Sequence, residues 1–151
     1  MIEEKIKDLG FEVPEVAKPL AAYIPAKKVG NLVMTSGQVP VVKGEIKYKG
    51  KVGKDLTEEE AIIAAQVCAL NCLAAIKSVV GNLDKVIEVE KLTVFVASDP
   101  AFTAQPKVAN GASELIAKIF GEAGKHVRSA VGVTSLPLDA AVEIEMIVLV
   151  N

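Results

Sequence analysis

His126 to Glu145 reads HVRSAVGVTSLPLDAAVEIE, and this stretch decides the fold. Arg128 opens one strand that is otherwise apolar, Leu136-Pro137-Leu138-Asp139 turns the chain, and Ala141 to Val150 forms the last strand. Along that last strand Val142, Ile144, Met146, Val148 and Val150 point one way, while Ile147 and Leu149 follow Glu143 and Glu145 on the other side. Both faces are therefore apolar and both need a cover. Chemically, the guanidinium of Arg128 can take a carboxylate in two parallel hydrogen bonds, and a neighbouring Glu can hold a water or a proton. That pattern points to a site for a small acid, with an ordinary ion pair at a strand end as the alternative.

Working back from this stretch, Pro106 starts a helix whose inner face uses Val108, Ala112, Leu115, Ile116, Ile119 and Phe120 before Gly121. Val86 to Ala97 is β-branched and reads as a long strand, closed by Ser98-Asp99-Pro100. A first long helix lies ahead of it. Thr57 is its N-cap, Glu60 completes a capping box, and Ile62, Ala65, Ala69, Cys72, Ile76 and Val79 recur at the spacing of one buried face until Gly81. Leu32 to Ser36 reads as a strand, and Val41 to Val52 carries hairpin-like glycines at Gly44 and Gly50. Ile2 to Leu9 forms a short helix stopped by Gly10, and the chain through Pro14, Pro19 and Pro25 is extended. Residues 1–22 thus read as an N-terminal extension or arm on a single domain spanning residues 1–151. The order predicts an α+β fold, a mixed sheet with two helices on one face. The uncovered face calls for further subunits.

Composition narrows the function. A chain of 151 residues can bury roughly two thirds of its unfolded surface, and with no Trp the core must be aliphatic. A net charge of -2 argues against a nucleic-acid surface, which normally shows a basic stripe. Lys43, Lys47, Lys49, Lys51 and Lys54 lie among glycines and read as a solvated hairpin. The charged Met1 to Leu9 is no signal peptide, and no apolar run approaches the ~20 residues of a membrane span, so a cytoplasmic protein is expected. Cys68 and Cys72 share a helix face and read as small core hydrophobes. With a single His, no metal site or cofactor is expected.

The motif R-S-A-V-x-V-x-x-L-P at Arg128, V-E-I-E at Val142 and T-S-G-Q-V-P at Thr35 to Pro40 resemble the signature of the RidA (YjgF) family of imine and enamine deaminases. The resemblance runs in order from about Tyr23 to Val150. It implies a YjgF/chorismate-mutase-like, barrel-like homotrimer with a site in each of three inter-subunit clefts. It implies hydrolysis of 2-imino or 2-enamino acids to 2-keto acids and ammonia, with Arg128 gripping the substrate carboxylate and Glu143 orienting the attacking water. Arg128 beside Glu143 would lower that carboxylate's pKa and favour water positioning over proton abstraction. Tyr23 matches the aromatic that closes the cleft, Ser36 the pocket serine, and Asn110 the helix asparagine that approaches the site. Gly37 supplies backbone freedom or close approach. Two positions depart from the pattern: Ala130 stands in place of Cys, where a backbone carbonyl suffices, and Gly132 in place of Glu, which predicts a roomier, less negative pocket. A non-catalytic trimer that binds small carboxylates is the alternative function. The ribonuclease or translation-inhibitor role attached to some relatives ranks last.

Overall fold

The computed structural model describes residues 1–16 and 22–151, so Pro19 and its neighbours lie outside the described residues. Helix α1 (Ile2–Asp8) is followed by strands β1 (Ala26–Val29), β2 (Leu32–Thr35), β3 (Val41–Val42) and β4 (Glu45–Ile46). Then come α2 (Glu58–Val80), β5 (Val86–Ala97), α3 (Gln105–Phe120), β6 (Val127–Val133) and β7 (Val142–Val150). Five strands form one sheet in the order β1-β2-β7-β5-β6, and β3 pairs with β4 in a separate hairpin. All pairs in the large sheet are antiparallel except β5 with β6, which are parallel and joined through α3. The fold is the α+β arrangement with a mixed sheet expected from the sequence.

The helices start and stop where side chains satisfy their free backbone groups. Thr57 Oγ1 accepts from the Glu60 amide at 3.2 Å while Glu60 Oε1 accepts from the Thr57 amide at 3.1 Å, so both halves of the capping box are made. Gly81 ends α2 with φ +84°. In the middle of α2 burial goes all the way round, from Cys68 to Ile76, and Val79 is exposed while Val80 is buried. Contrary to the sequence reading, α2 is long and apolar enough to cross a membrane by length and composition, because alanines fill the turns between its larger side chains. Most of that stretch is packed inside the fold, against β7 and α3.

Helix α1 is docked rather than loose. Ile6 is fully buried, the Ile2 amide donates to Asp84 Oδ1 at 2.7 Å, and Lys77 Nζ lies 2.8 Å from Glu3 Oε1. The core between helices and sheet is aliphatic, with Leu73, Ile76, Leu92, Ile116, Ile144 and Met146 wholly excluded from water. Cys68 and Cys72 are free thiols donating to the Val142 and Ile144 carbonyls at 3.5 and 3.3 Å. Burial pushes the Cys72 thiol up to about 12, so neither is a nucleophile at neutral pH.

The sheet's other face has no helix on it. Register puts Leu32 opposite Leu149, Met34 opposite Ile147, Phe95 opposite Glu143 and Thr93 opposite Glu145 on that side. Leu32, Met34 and Val131 are exposed there, and Val127 on the β6 edge is 67% exposed.

Candidate functional site

Register also separates the two charged groups on which the site depends. Arg128 pairs with Leu92, a buried residue on the helix-covered face, and its guanidinium meets α3. Glu143 pairs with Phe95 on the open face. Because successive side chains of a strand alternate, the two belong to opposite sides of one sheet. A single chain therefore keeps them apart, as two candidate half-sites.

The first half-site lies on the β6 edge. Arg128 Nη1 donates to Asn110 Oδ1 at 2.8 Å and to Ser113 Oγ at 3.1 Å, one turn apart on α3. Asn110 is thus beside Arg128. Ser113 continues to His126 Nε2 at 2.8 Å, and His126 Nδ1 lies 2.7 Å from the Gly124 carbonyl oxygen. Among the described residues no carboxylate lies within ion-pairing distance of Arg128. It is the single arginine of the chain, and His126 the single histidine. Ala130 follows on the same face of β6, partly buried against the core.

Gly132 corrects an expectation. A Cβ there would stand 2.6 Å from Gln105 Nε2, so the volume left by the absent Glu is filled by the Gln105 amide. That amide donates to the Phe102 carbonyl at 2.8 Å and to Ser98 Oγ at 3.3 Å. The position is neutral but not roomier, and nothing in the sequence near Gly132 marks Gln105, which comes from the far end of α3.

The second half-site gathers the loop after β2 around Glu143. The Gln38 amide donates to the Ile144 carbonyl at 2.7 Å and the Ile144 amide returns to Gln38 at 2.9 Å, stitching the loop to β7. Asn71, buried in α2, donates from Nδ2 to the Val39 and Val41 carbonyls at 3.0 and 3.1 Å and fixes the loop from below. A polar residue inside the apolar run Val67 to Ile76 had to find such partners, a signal the sequence carried. Gly37 is required for close approach: a Cβ would lie 2.8 Å from the Glu143 carboxyl carbon. Ser36 Oγ donates to the Ile24 carbonyl at 2.6 Å, so its hydroxyl ties the loop to the residue beside Tyr23, which is 53% exposed.

Glu143 titrates above its ordinary value of 4.5, chiefly because it is half-buried and secondly because Glu145 repels it. Within one chain Arg128 does not lower it, since the guanidinium lies across the sheet. A carboxyl shifted upward is the better base when ionised. Among the described residues no three ligating side chains converge to hold a metal ion.

These features define a class: an α+β subunit with an arginine held by Asn110 and Ser113 on one sheet face and a glutamate of raised pKa on the other. The family model described as "YjgF/chorismate mutase-like, putative endoribonuclease" matches residues 3–149, and the chain belongs to that family. It is 41% identical over 153 residues to the protein TCP17 of Trypanosoma cruzi, covering 99% of this chain and 94% of that one. It superposes on the Atu1372 protein of Agrobacterium tumefaciens, of unknown function, with TM-score 0.93 at 46% identity, covering 99% of this chain and 92% of the other. The YjgF gene product of E. coli gives TM-score 0.67 at 25% identity over 89% of this chain and 93% of its own. The family match thus begins well before Tyr23 and takes in α1.

Proposed function

We propose that the protein hydrolyses reactive 2-imino or 2-enamino acids to 2-keto acids and ammonia, in clefts where Arg128 of one copy faces Glu143 of the next. The observation that carries this reading is Arg128 itself, a guanidinium held by two neutral oxygens and, among the described residues, with no carboxylate of its own. Such a fork is poised for an anionic ligand. A 2-imino acid supplies a carboxylate one bond from the reacting carbon. Gripping that carboxylate sets the imine carbon at a fixed distance from whatever completes the cleft.

Glu143 then accepts a proton from a water as the water's oxygen adds to the imine carbon. That proton passes to the nitrogen to give the carbinolamine; Glu143 next takes the carbinolamine hydroxyl proton and delivers it to the amino nitrogen as the C–N bond breaks, so ammonia leaves and the ketone forms. Burial of Glu143 favours this base role, and the facing Arg128 of the next copy draws the carboxylate toward the ionised form in which it takes the proton. The imine is already electrophilic, so modest assistance suffices.

Two alternatives concern the same surface. A non-catalytic carboxylate binder would keep Arg128 and make no use of Glu143. RNA cleavage, named in the family description, suits poorly a chain of net charge -2 with a single arginine. The test follows the decay of 2-iminopropionate generated in situ, comparing wild type with Arg128→Lys. Lysine keeps the charge and loses the planar fork, which contributes roughly 1.5 to 3 kcal/mol per charged hydrogen bond. The variant should fold normally and lose most of the acceleration. Full activity in Arg128→Lys rejects the fork, and no acceleration by wild type, with pyruvate still bound, selects the non-catalytic reading.

A further inference from the structure

The single arginine and the single histidine of the chain lie in one hydrogen-bonded row, Asn110, Arg128, Ser113 and His126, beside a shallow depression of about 330 Å³. We propose that Ser113 and His126 are positioning residues that lock Arg128 so that only its Nε and Nη2 edge meets the substrate carboxylate. The proposal rests on the carboxylate-binding reading above and adds which atoms make the grip and what holds them.

The direction of each hydrogen follows from the end of the row. The Gly124 carbonyl can only accept, so His126 Nδ1, 2.7 Å away, carries the hydrogen. In the neutral ring Nε2 is then bare and accepts, so the Ser113 hydroxyl, 2.8 Å away, donates to it. The lone pairs of Ser113 are left to face Arg128 Nη1 at 3.1 Å. Nη1 has two hydrogens. One goes to Ser113 and the other to Asn110 Oδ1 at 2.8 Å. Both are spent.

A guanidinium offers a carboxylate two forks, Nη1 with Nη2 or Nε with Nη2. The first is closed by Ser113 and Asn110. Among the described residues Nε and Nη2 donate to no side chain or carbonyl, so the second is open. Pre-setting this geometry matters on an edge strand. A long, half-exposed side chain otherwise loses its rotamer freedom at the moment of binding, which weakens affinity without touching the chemical step. The lock should therefore act on KM and leave kcat nearly alone.

Nitrogen-15 NMR of the full chain reads the lock directly, because one arginine and one histidine give unambiguous side-chain signals. The expected result is a histidine with hydrogen on Nδ1 and an arginine whose Nη1 hydrogens exchange places slowly. Adding pyruvate should shift the Nε–H signal. Ser113→Ala and His126→Phe should speed the rotation and raise both KM for 2-iminopropionate and Kd for pyruvate about tenfold, the effect of one charge-assisted hydrogen bond, with kcat within about twofold. His126→Gln, whose amide oxygen can accept from Ser113, should recover most of the loss. A histidine with hydrogen on Nε2 overturns the lock even if no variant folds, as does a wild-type KM in Ser113→Ala. If Arg128→Ala abolishes pyruvate binding while Ser113→Ala is silent, the lock fails and the carboxylate reading stands. If Arg128→Ala still binds pyruvate and turns over substrate, the carboxylate reading fails and the lock falls with it.

Discussion

Glu143 and Glu145 stand two residues apart on the open face of β7, close enough that the second raises the first. A carboxyl whose folded-state pKa is raised favours folding while it is protonated, below its unfolded value, and that contribution is lost as pH rises through the folded value. Wild type should therefore lose stability as pH climbs from about 4.5 toward neutral. Glu143→Gln removes this titration. The variant should melt higher than wild type at pH 7.5, with the difference closing below the ordinary carboxylate range, in thermal scans across pH. A variant that melts lower at pH 7.5 would mean that Arg128 of the neighbouring copy pairs with Glu143 closely enough to outweigh its burial. At this scale the identities of Arg128 and Glu143 were legible, because a charge in an apolar strand stands out. Their placement on opposite faces was not, since it depends on the register of β5 against two different strands, which no local pattern specifies. The Ser113 and Asn110 pair had a local signal in its three-residue helical spacing, whereas His126 at the head of β6 had none.

The helices α2 and α3 pack closely at Gly111. A Cβ there would fall inside van der Waals contact with the Ile62 carbonyl oxygen and 2.9 Å from Ile62 Cγ2, a clash with backbone that a side-chain rotation cannot relieve. Alanine is the better helix former by up to about 1 kcal/mol, but overpacking of this kind costs about 1 to 3 kcal/mol. Gly111→Ala should thus be net destabilising, read as a lower urea midpoint at unchanged slope. An equal or higher midpoint would show that the helices can separate freely. Helix ends were legible from Thr57, Glu60, Gly81, Pro106 and Gly121, each acting within its own turn. Strand β1 was not, because Lys27, Lys28 and Val29 are exposed and β2 is its one strand partner. An edge strand with one buried residue leaves no periodicity to read.

The uncovered sheet face carries Leu32, Met34, Phe95, Val131, Ile147 and Leu149 around the two glutamates. A contiguous apolar surface of this kind is rare on a monomer. We expect copies of the chain to cover it in a closed cyclic trimer, with a sedimentation mass near three times 15.9 kDa at micromolar concentration. A mass of one chain would sink the shared cleft. From the sequence, the doubly apolar pattern of Val142 to Val150 was enough to foresee the bare face. It could not give a partner, since the number of copies is set by shape complementarity over many residues.

The division of Arg128 and Glu143 between two sides of one sheet has a genetic consequence. A chain with Arg128→Ala still offers a sound glutamate, and a chain with Glu143→Ala still offers a sound arginine. Denatured together in equal amounts and refolded, the two inactive proteins should complement each other. Each cleft draws the right arginine half of the time and the right glutamate half of the time, so about a quarter of the wild-type rate should return. Two variants of a site contained within one chain would stay dead however they were mixed.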